Sequence, residues 1–402
     1  MPEGSHLRRT PETANRAARA LGSRPIATAI AYTVVGVFPL YLTAAQSVRL
    51  QEELGFSRTR FGLVVGSFYL VSAVASKMIG PVLDRRGPDL GLRYAGVVTL
   101  ASAGLASIST GWVTLAIAMA IGGFANALGQ IASNLVVATS VSFDRTGRAF
   151  AAKQAAVPVG AMLAGLAVPW VGLSTSWRVP YIIAASAGLV MMVIAPRFDT
   201  GNRATVDRGS LKLTPALLAF MVMAAIGGGI GNSLASFVTD ASVTIGFSQG
   251  AGARILTIGS IVAVAARLAV GQVADRRQRT GVSELVSLLA VAVVGLGLLG
   301  MAGESRTLFV IGVLLAFAGS WGWQGVMFYS AVRLIPMPAA TSTGAVAAGV
   351  YLGTMIMPPL VGFGADRYSY NLVFTLEAGL VLVGIGAVLL SRRLALAEST
   401  QD

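Results

Sequence analysis

Apolar runs of about 20 residues recur along the whole chain, and each is long enough to cross a bilayer core when wound as a helix. Only 12% of the 402 residues are charged and 55% are hydrophobic, whereas a water-soluble domain carries about 25% charged residues. Too little polar surface is left to face water. Lipid forces each backbone polar group to find a partner within its own segment, so the runs are read as helices. The fold class is therefore all-α and polytopic. The runs place twelve spans at about 25–46, 60–79, 94–109, 112–138, 151–171, 178–195, 215–239, 252–270, 284–301, 307–330, 341–362 and 371–391. The longest connection inside this set is PRFDTGNRATVDRGSLKL, 196–213, which is polar and close to mid-chain. It divides the chain into a six-helix bundle over 25–195, a cytoplasmic linker over 196–213 and a second six-helix bundle over 214–391. Residues 1–24 read as a basic disordered tail without a signal-peptide core, and 392–402 as a second tail.

The net charge of +13 does not point to nucleic acid, because the bases cluster in short stretches between apolar runs. That is how membrane proteins set their orientation. Twenty-one bases fall on the side of the N-terminal tail and six on the opposite side, and Lys77, Arg254 and Arg267 lie inside spans. The split places both termini in the cytoplasm and the chain in the cell membrane. There is no cysteine, and the single histidine, His6, sits in the tail. No metal-ligand spacing, nucleophile elbow or Walker-type loop is present, so neither a metal, a cofactor nor an enzymatic activity is expected.

The two bundles echo each other. Residues 55–86 laid over 246–277 without a gap agree at ten of 32 positions, including Gly-Phe-Ser at 55–57 and 246–248, Gly80 with Gly271, and Asp84-Arg85-Arg86 with Asp275-Arg276-Arg277. A Pro-x-x-Gly echo follows at 169–172 and 359–362. Parallel repeats of six spans about an axis normal to the membrane are one transporter architecture.

On these residues the chain resembles the major facilitator superfamily over essentially its whole length. The family's loop between spans two and three, G-x-L-x-D-R-x-G-R-R, is met by Gly80, Asp84, Arg85 and Gly87 with Leu83 shifted by a place, and departs at Pro88 and Asp89. The second copy keeps Gly271, Asp275 and Arg276 but has Gln278 in place of glycine. The resemblance implies two pseudo-symmetric bundles of six helices around a central cavity. Gly80 and Gly271 would let neighbouring helices approach closely. Asp84 and Asp275, with Arg85 and Arg276, would cap a helix N-terminus in one arrangement of the lobes only and so act as a conformational latch; the arginines read equally well as plain topology signals.

Polar residues inside spans are costly and face a partner helix or a watery cavity. Span four carries Asn126, Gln130 and Asn134 on one helical face; span seven carries Asn232, Ser236 and Asp240 at the same spacing after a Gly227-Gly228-Gly229 break; span ten carries Trp321, Gln324 and Phe328; span one carries Tyr41 and Gln46. In the family, spans one, four, seven and ten line the cavity, so the resemblance turns these stripes toward a substrate; interhelical hydrogen bonding is the other reading. Arg267 lies four residues before Gly271. The stretch AARLAVGQVAD resembles the place in monocarboxylate and oxalate-type porters where an arginine binds the substrate carboxylate, a task suited to a fixed charge that grips two oxygens. The alternative is an arginine snorkelling to the cytoplasm. Lys153 opens span five, either as a second positive contact or as a lysine at the cytoplasmic end. Acids are scarce in the spans, and Asp240 and Glu377 are the candidates for proton coupling.

The expected function is a secondary transporter moving a small organic anion by alternating access. It would act as a monomer with the anion and the bilayer as its only partners. Efflux of drugs or an antibiotic-like metabolite is the alternative. Its proline-glycine signature in span five, G-P-x-x-G-G in drug-proton antiporters, is poorly met by Val157-Pro158-Val159-Gly160.

Overall fold

Each Gly-Phe-Ser echo turns out to be a corner. Gly55 and Gly246 both take positive φ, 64° and 83°, which ends one helix in the left-handed conformation that suits glycine. Two residues on, Ser57 Oγ accepts from Arg60 N and Ser248 Oγ from Ala251 N, capping the next helix. The duplicated tripeptide is thus a stop and a start in both halves.

The computed structural model describes residues 11–141, 143–198, 212–277, 280–335 and 337–398, and within them all side chains except those of 11–23, 143–148, 150, 151, 275, 339, 340 and 398. The first lobe comprises α1 (Pro11–Ala45), α2 (Ser47–Leu54), α3 (Arg58–Arg86), α4 (Pro88–Ser107), α5 (Trp112–Ser140), α6 (Phe143–Ala167) with a π-helical turn at Val168–Gly172, and α7 (Arg178–Val193). The second comprises α8 (Pro215–Thr244), α9 (Gln249–Arg277), α10 (Val282–Met301), α11 (Arg306–Gly322), α12 (Gln324–Leu334), α13 (Ala339–Arg367) and α14 (Tyr370–Glu398). Among the described residues every regular element is helical.

Counting α11 and α12 as one span and setting α2 aside gives twelve crossings in the expected order. Ten are long and apolar enough to cross a membrane, and Arg178–Val193 is apolar but shorter. The twelfth, α4, carries Asp89 and Arg93 near its start. Two local expectations are corrected. Span ten is not one helix, because the helix ends at Gly322 and restarts at Gln324. The Gly227-Gly228-Gly229 run does not break span seven, since α8 is continuous from Pro215 to Thr244. Its glycines serve packing instead: a Cβ on Gly227 would meet the Trp323 ring at 2.6 Å, one on Gly228 would meet Val350 at 2.8 Å, and one on Gly229 the Gly353 carbonyl at 2.8 Å. The helix carrying span one begins at Pro11, inside the stretch read as a tail, while residues 1–10 and most of the 196–213 linker lie outside the described residues.

The face carrying the start of α1, the α3–α4 corner and the end of α14 is called here the tail face, and the other the far face. The lobes meet along two long seams, α3 against α13 and α6 against α9, with α1 and α2 touching α8. The core of each lobe is alanine-, glycine- and aromatic-rich, with Phe61, Phe68, Phe220, Phe237, Phe309 and Phe317 almost fully enclosed. Small residues let helix backbones approach where lipid gives no hydrophobic drive for helix association.

Candidate functional site

Midway along the seams, side chains from both lobes converge. Asn232 of α8 is 6% exposed, and its Oδ1 accepts from Tyr41 OH of α1 at 3.2 Å and from Tyr69 OH of α3 at 2.6 Å. Its Nδ2 donates to the Gly228 carbonyl at 2.9 Å. Tyr41 also stands edge-on to Trp321, with ring centroids 5.7 Å apart, and Trp321 is edge-on to Phe317 at 5.6 Å. The polar stripe expected on span seven and the aromatics expected on spans one and ten are therefore brought together.

One step toward the tail face lies a pair of buried cations. Arg267 of α9 is 5% exposed. Its Nε and Nη2 donate to the Trp321 carbonyl at 3.2 and 2.6 Å, and Nη2 also donates to Gln324 Oε1 at 2.9 Å. The end of α11 leaves that carbonyl open, so the break in span ten is what lets Arg267 dock there. Its Nη1 crosses the seam to the Gln154 carbonyl of α6 at 2.5 Å. Lys153, the neighbour of Gln154, is 1% exposed. It donates to Gln130 Oε1 and, at 3.4 Å, to Gln154 Oε1. Both cations thus face neutral oxygens, and neither snorkels. The reading of Lys153 as a solvated lysine at a helix end is overturned by its burial. Gln154, which the sequence did not single out, joins the two.

The remaining candidates are dispersed. Asn126 is buried and donates to Ser72 Oγ at 2.8 Å within its own lobe, a kind of bond worth about 0.6 kcal/mol on average between membrane helices. Asn134, two turns further along α5, is exposed and stands outside the cluster. Arg254 and Lys77 are exposed as well. Glu377 of α14 is 2% exposed, and neither of its oxygens has a hydrogen-bond partner. On the tail face, no described atom lies within 4 Å of a Cβ built on Gly80 or Gly271, so the close helix packing expected there is absent in this arrangement of the lobes. Asp84 sits half-buried in the last turn of α3 with Arg85 exposed beside it; Arg276 is exposed, and the Asp275 side chain lies outside the described residues.

The far face is tied shut by residues the sequence reading had treated otherwise. Asp240 Oδ2 accepts from Arg58 Nε at 2.6 Å and from Tyr370 OH, and Oδ1 accepts from Gln51 Nε2 at 3.1 Å. Asp366 of α13 caps the first turn of α3 across the lobe boundary, accepting from Arg58 N at 3.1 Å, Thr59 N at 2.7 Å and Thr59 Oγ1 at 2.6 Å. Beside it a Cβ on Gly62 would strike the Pro358 carbonyl, and one on Gly362 the Arg58 carbonyl. A cavity of about 340 Å³ opens above, lined by Gln51, Glu52, Arg58, Asp240 and Asp366. A signal for this tie was present: GFGADR at 362–367 repeats the G-x-x-A-D-R spacing of GQVADR at 271–276.

Two six-helix lobes closed around a buried polar axis define a membrane transporter rather than an enzyme. The chain belongs to the major facilitator superfamily, whose family model matches residues 26–342. It is similar to a hexuronate transporter of Bacillus subtilis, 26% identical over 37% of this chain and 35% of that protein. It is also similar to a hexuronate transporter of Escherichia coli, 28% identical over 39% of this chain and 37% of that one, and to a galacturonate transporter of Dickeya chrysanthemi, 26% identical over 39% and 46%. The matched stretches therefore span less than half the length of these relatives. In fold it is similar to a bacterial homologue of the human lysosomal transporter Spinster, solved inward-facing and unoccupied, with a TM-score of 0.70 and 13% identity over 94% of both chains.

Proposed function

We propose that the protein moves a small organic anion of carboxylate type across the cytoplasmic membrane by alternating access, with both termini in the cytoplasm. The observation that carries this is the buried pair Arg267 and Lys153, whose described hydrogen bonds all end on neutral oxygens. Removing a charge from water costs several kcal/mol even after relaxation. Neutral acceptors offset only part of that, whereas a bound carboxylate offsets far more. A planar guanidinium grips two carboxylate oxygens at once and keeps its charge. The amides and hydroxyls of Gln130, Gln324, Asn232, Tyr41 and Tyr69 match the hydroxyls of a sugar acid, in line with the hexuronate and galacturonate transporters among its relatives.

The basic side of the membrane, by the count of 21 to six, makes the tail face cytoplasmic. On that reading the arrangement described is sealed toward the outside by Asp240 and Asp366, and the Asp84 and Asp275 latches belong to the alternative arrangement. Asp240 and Glu377 are the proton-coupling candidates. Asp240 serves the outer tie, and Glu377 is the buried acid without a partner. The test is counterflow in proteoliposomes over a panel of carboxylates. Arg267→Ala is expected to abolish exchange of the transported anion; an unchanged rate for every anion would exclude the carboxylate site.

A further inference from the structure

The charge count around Gln154 says more about the cargo than that it is anionic. Lys153 and Arg267 come from opposite lobes, yet both end on Gln154, one on its side-chain oxygen at 3.4 Å and the other on its carbonyl at 2.5 Å. The ion pairs among the described residues are Arg49–Glu53, Arg58–Asp240 and Arg277–Glu284. Neither buried cation is in one. The buried carboxylates among the described residues are Asp240, Glu284 and Glu377. Asp240 is engaged at the far face, Glu284 is paired with Arg277, and Glu377 lies on α14, which packs on α8 and α10 rather than on the α6–α9 seam. The described site therefore carries two positive charges and no negative one. A monoanion would leave one of them uncompensated in a sealed, low-dielectric seam, and an unpaired buried charge is the costlier state.

We propose that the site takes a dianion, a short hydroxylated diacid, with one carboxylate on Arg267 and the other on Lys153. This rests on the anion-transport reading above and narrows it. The amides of Gln130 and Gln324 flank the two cations and are placed to meet the hydroxyls between the carboxylates. Because each cation belongs to a different lobe, a diacid would also bridge the lobes, replacing the Arg267–Gln154 bond as the link across the seam.

The test uses the full-length protein in proteoliposomes and two probe pairs matched in carbon number but differing in charge, galactarate with galacturonate and tartrate with glycerate. Exchange of at least one diacid is expected to run tenfold or more faster than that of its monoacid partner. Lys153→Gln is expected to reverse the order, with the monoacid now ahead, and Lys153→Arg to restore it. Size-exclusion profiles and thermal unfolding in detergent establish that each variant is folded; the diacid should raise the wild-type midpoint, and Lys153→Gln should lose that shift. A wild-type preference for the monoacids, or a Lys153→Gln variant that slows both members of a pair equally, overturns the two-charge inference while leaving the anion reading intact. Exchange of none of the four by folded wild-type protein overturns both.

Discussion

Tyr41 donates to Asn232 at 3.2 Å, and the two residues stand 191 positions apart. That is the offset of the internal repeat, so equivalent places in the two lobes meet at the seam between them. A pseudo-twofold axis brings its own related positions together wherever they lie close to it, and Tyr41 and Asn232 mark that place. Tyr69 adds a second N-lobe hydroxyl to the same acceptor.

Asn232→Leu is expected to leave two buried tyrosine hydroxyls without their acceptor. Each orphaned group costs about 1–3 kcal/mol, so the thermal midpoint in detergent should fall by several degrees. The Tyr69 bond is the shorter at 2.6 Å against 3.2 Å, so Tyr69→Phe should lower the midpoint more than Tyr41→Phe. Equal effects of the two would mean that bond length does not govern this contact.

The far-face tie can be read with a single introduced thiol, because the chain has no cysteine of its own. Ser236 is fully buried on α8, one turn from Asp240 on the same face. Ser236→Cys should resist a membrane-impermeant maleimide in the otherwise wild-type chain. Labelling should rise several-fold when Asp366→Ala or Arg58→Gln is added. The Arg58–Asp240 pair contributes about 1–3 kcal/mol, less than a fully buried pair because the Arg58 side chain is 31% exposed.

Glycines at the two faces should respond differently. Gly62→Ala puts a methyl group against the Pro358 carbonyl and should part α3 from α13, opening the far face to the same thiol probe. Gly80→Ala meets open space and should leave the thiol protected. If the tail-face latch forms in the other arrangement, Gly80→Ala should still slow transport.

The extramembrane helix α2 should be acid-sensitive. Glu53 accepts from Arg49 Nε at 2.7 Å and from Trp177 Nε1 at 2.6 Å. The hydrogen bond from Arg49 outweighs the effect of burial and, with Trp177, holds the Glu53 carboxyl below its ordinary range. Its folded pKa is lowered, so the stabilisation is present above the ordinary glutamate value of about 4.3 and fades as pH falls through the lower, folded value. Trp177 fluorescence should change over that acid interval, and Glu53→Gln should remove the change. Solvent screening keeps the effect small, since the Glu53 side chain is 41% exposed.

Much of this architecture was legible in the order of residues. Run length, the polar linker and the Gly-Phe-Ser and Asp-Arg-Arg echoes give twelve crossings in two related halves, and the structure has them. Arg267, Tyr41, Asn232, Trp321, Gln324, Gln130 and Lys153 could be picked out because a polar or aromatic group inside an apolar run stands out against lipid. Other partners could not be found that way. Gln154 contributes a backbone carbonyl, which every residue has. Tyr69 lies in a span that the stripe argument had set aside. Arg58 looked like one more topology charge until Asp240, 182 residues away, came beside it.

The sequence by itself determined what the solvent and the chain's periodicity decide: a helical membrane protein, duplicated, with few charges inside it. Each of those follows from local transfer free energy along the chain, which depends on the order of residues alone. Only the tertiary structure decided which polar groups meet, that Lys153 is enclosed rather than solvated, and that the tie between lobes sits on the far face. These depend on distances between residues 100 to 300 positions apart, and such distances are fixed by how the lobes rest against each other.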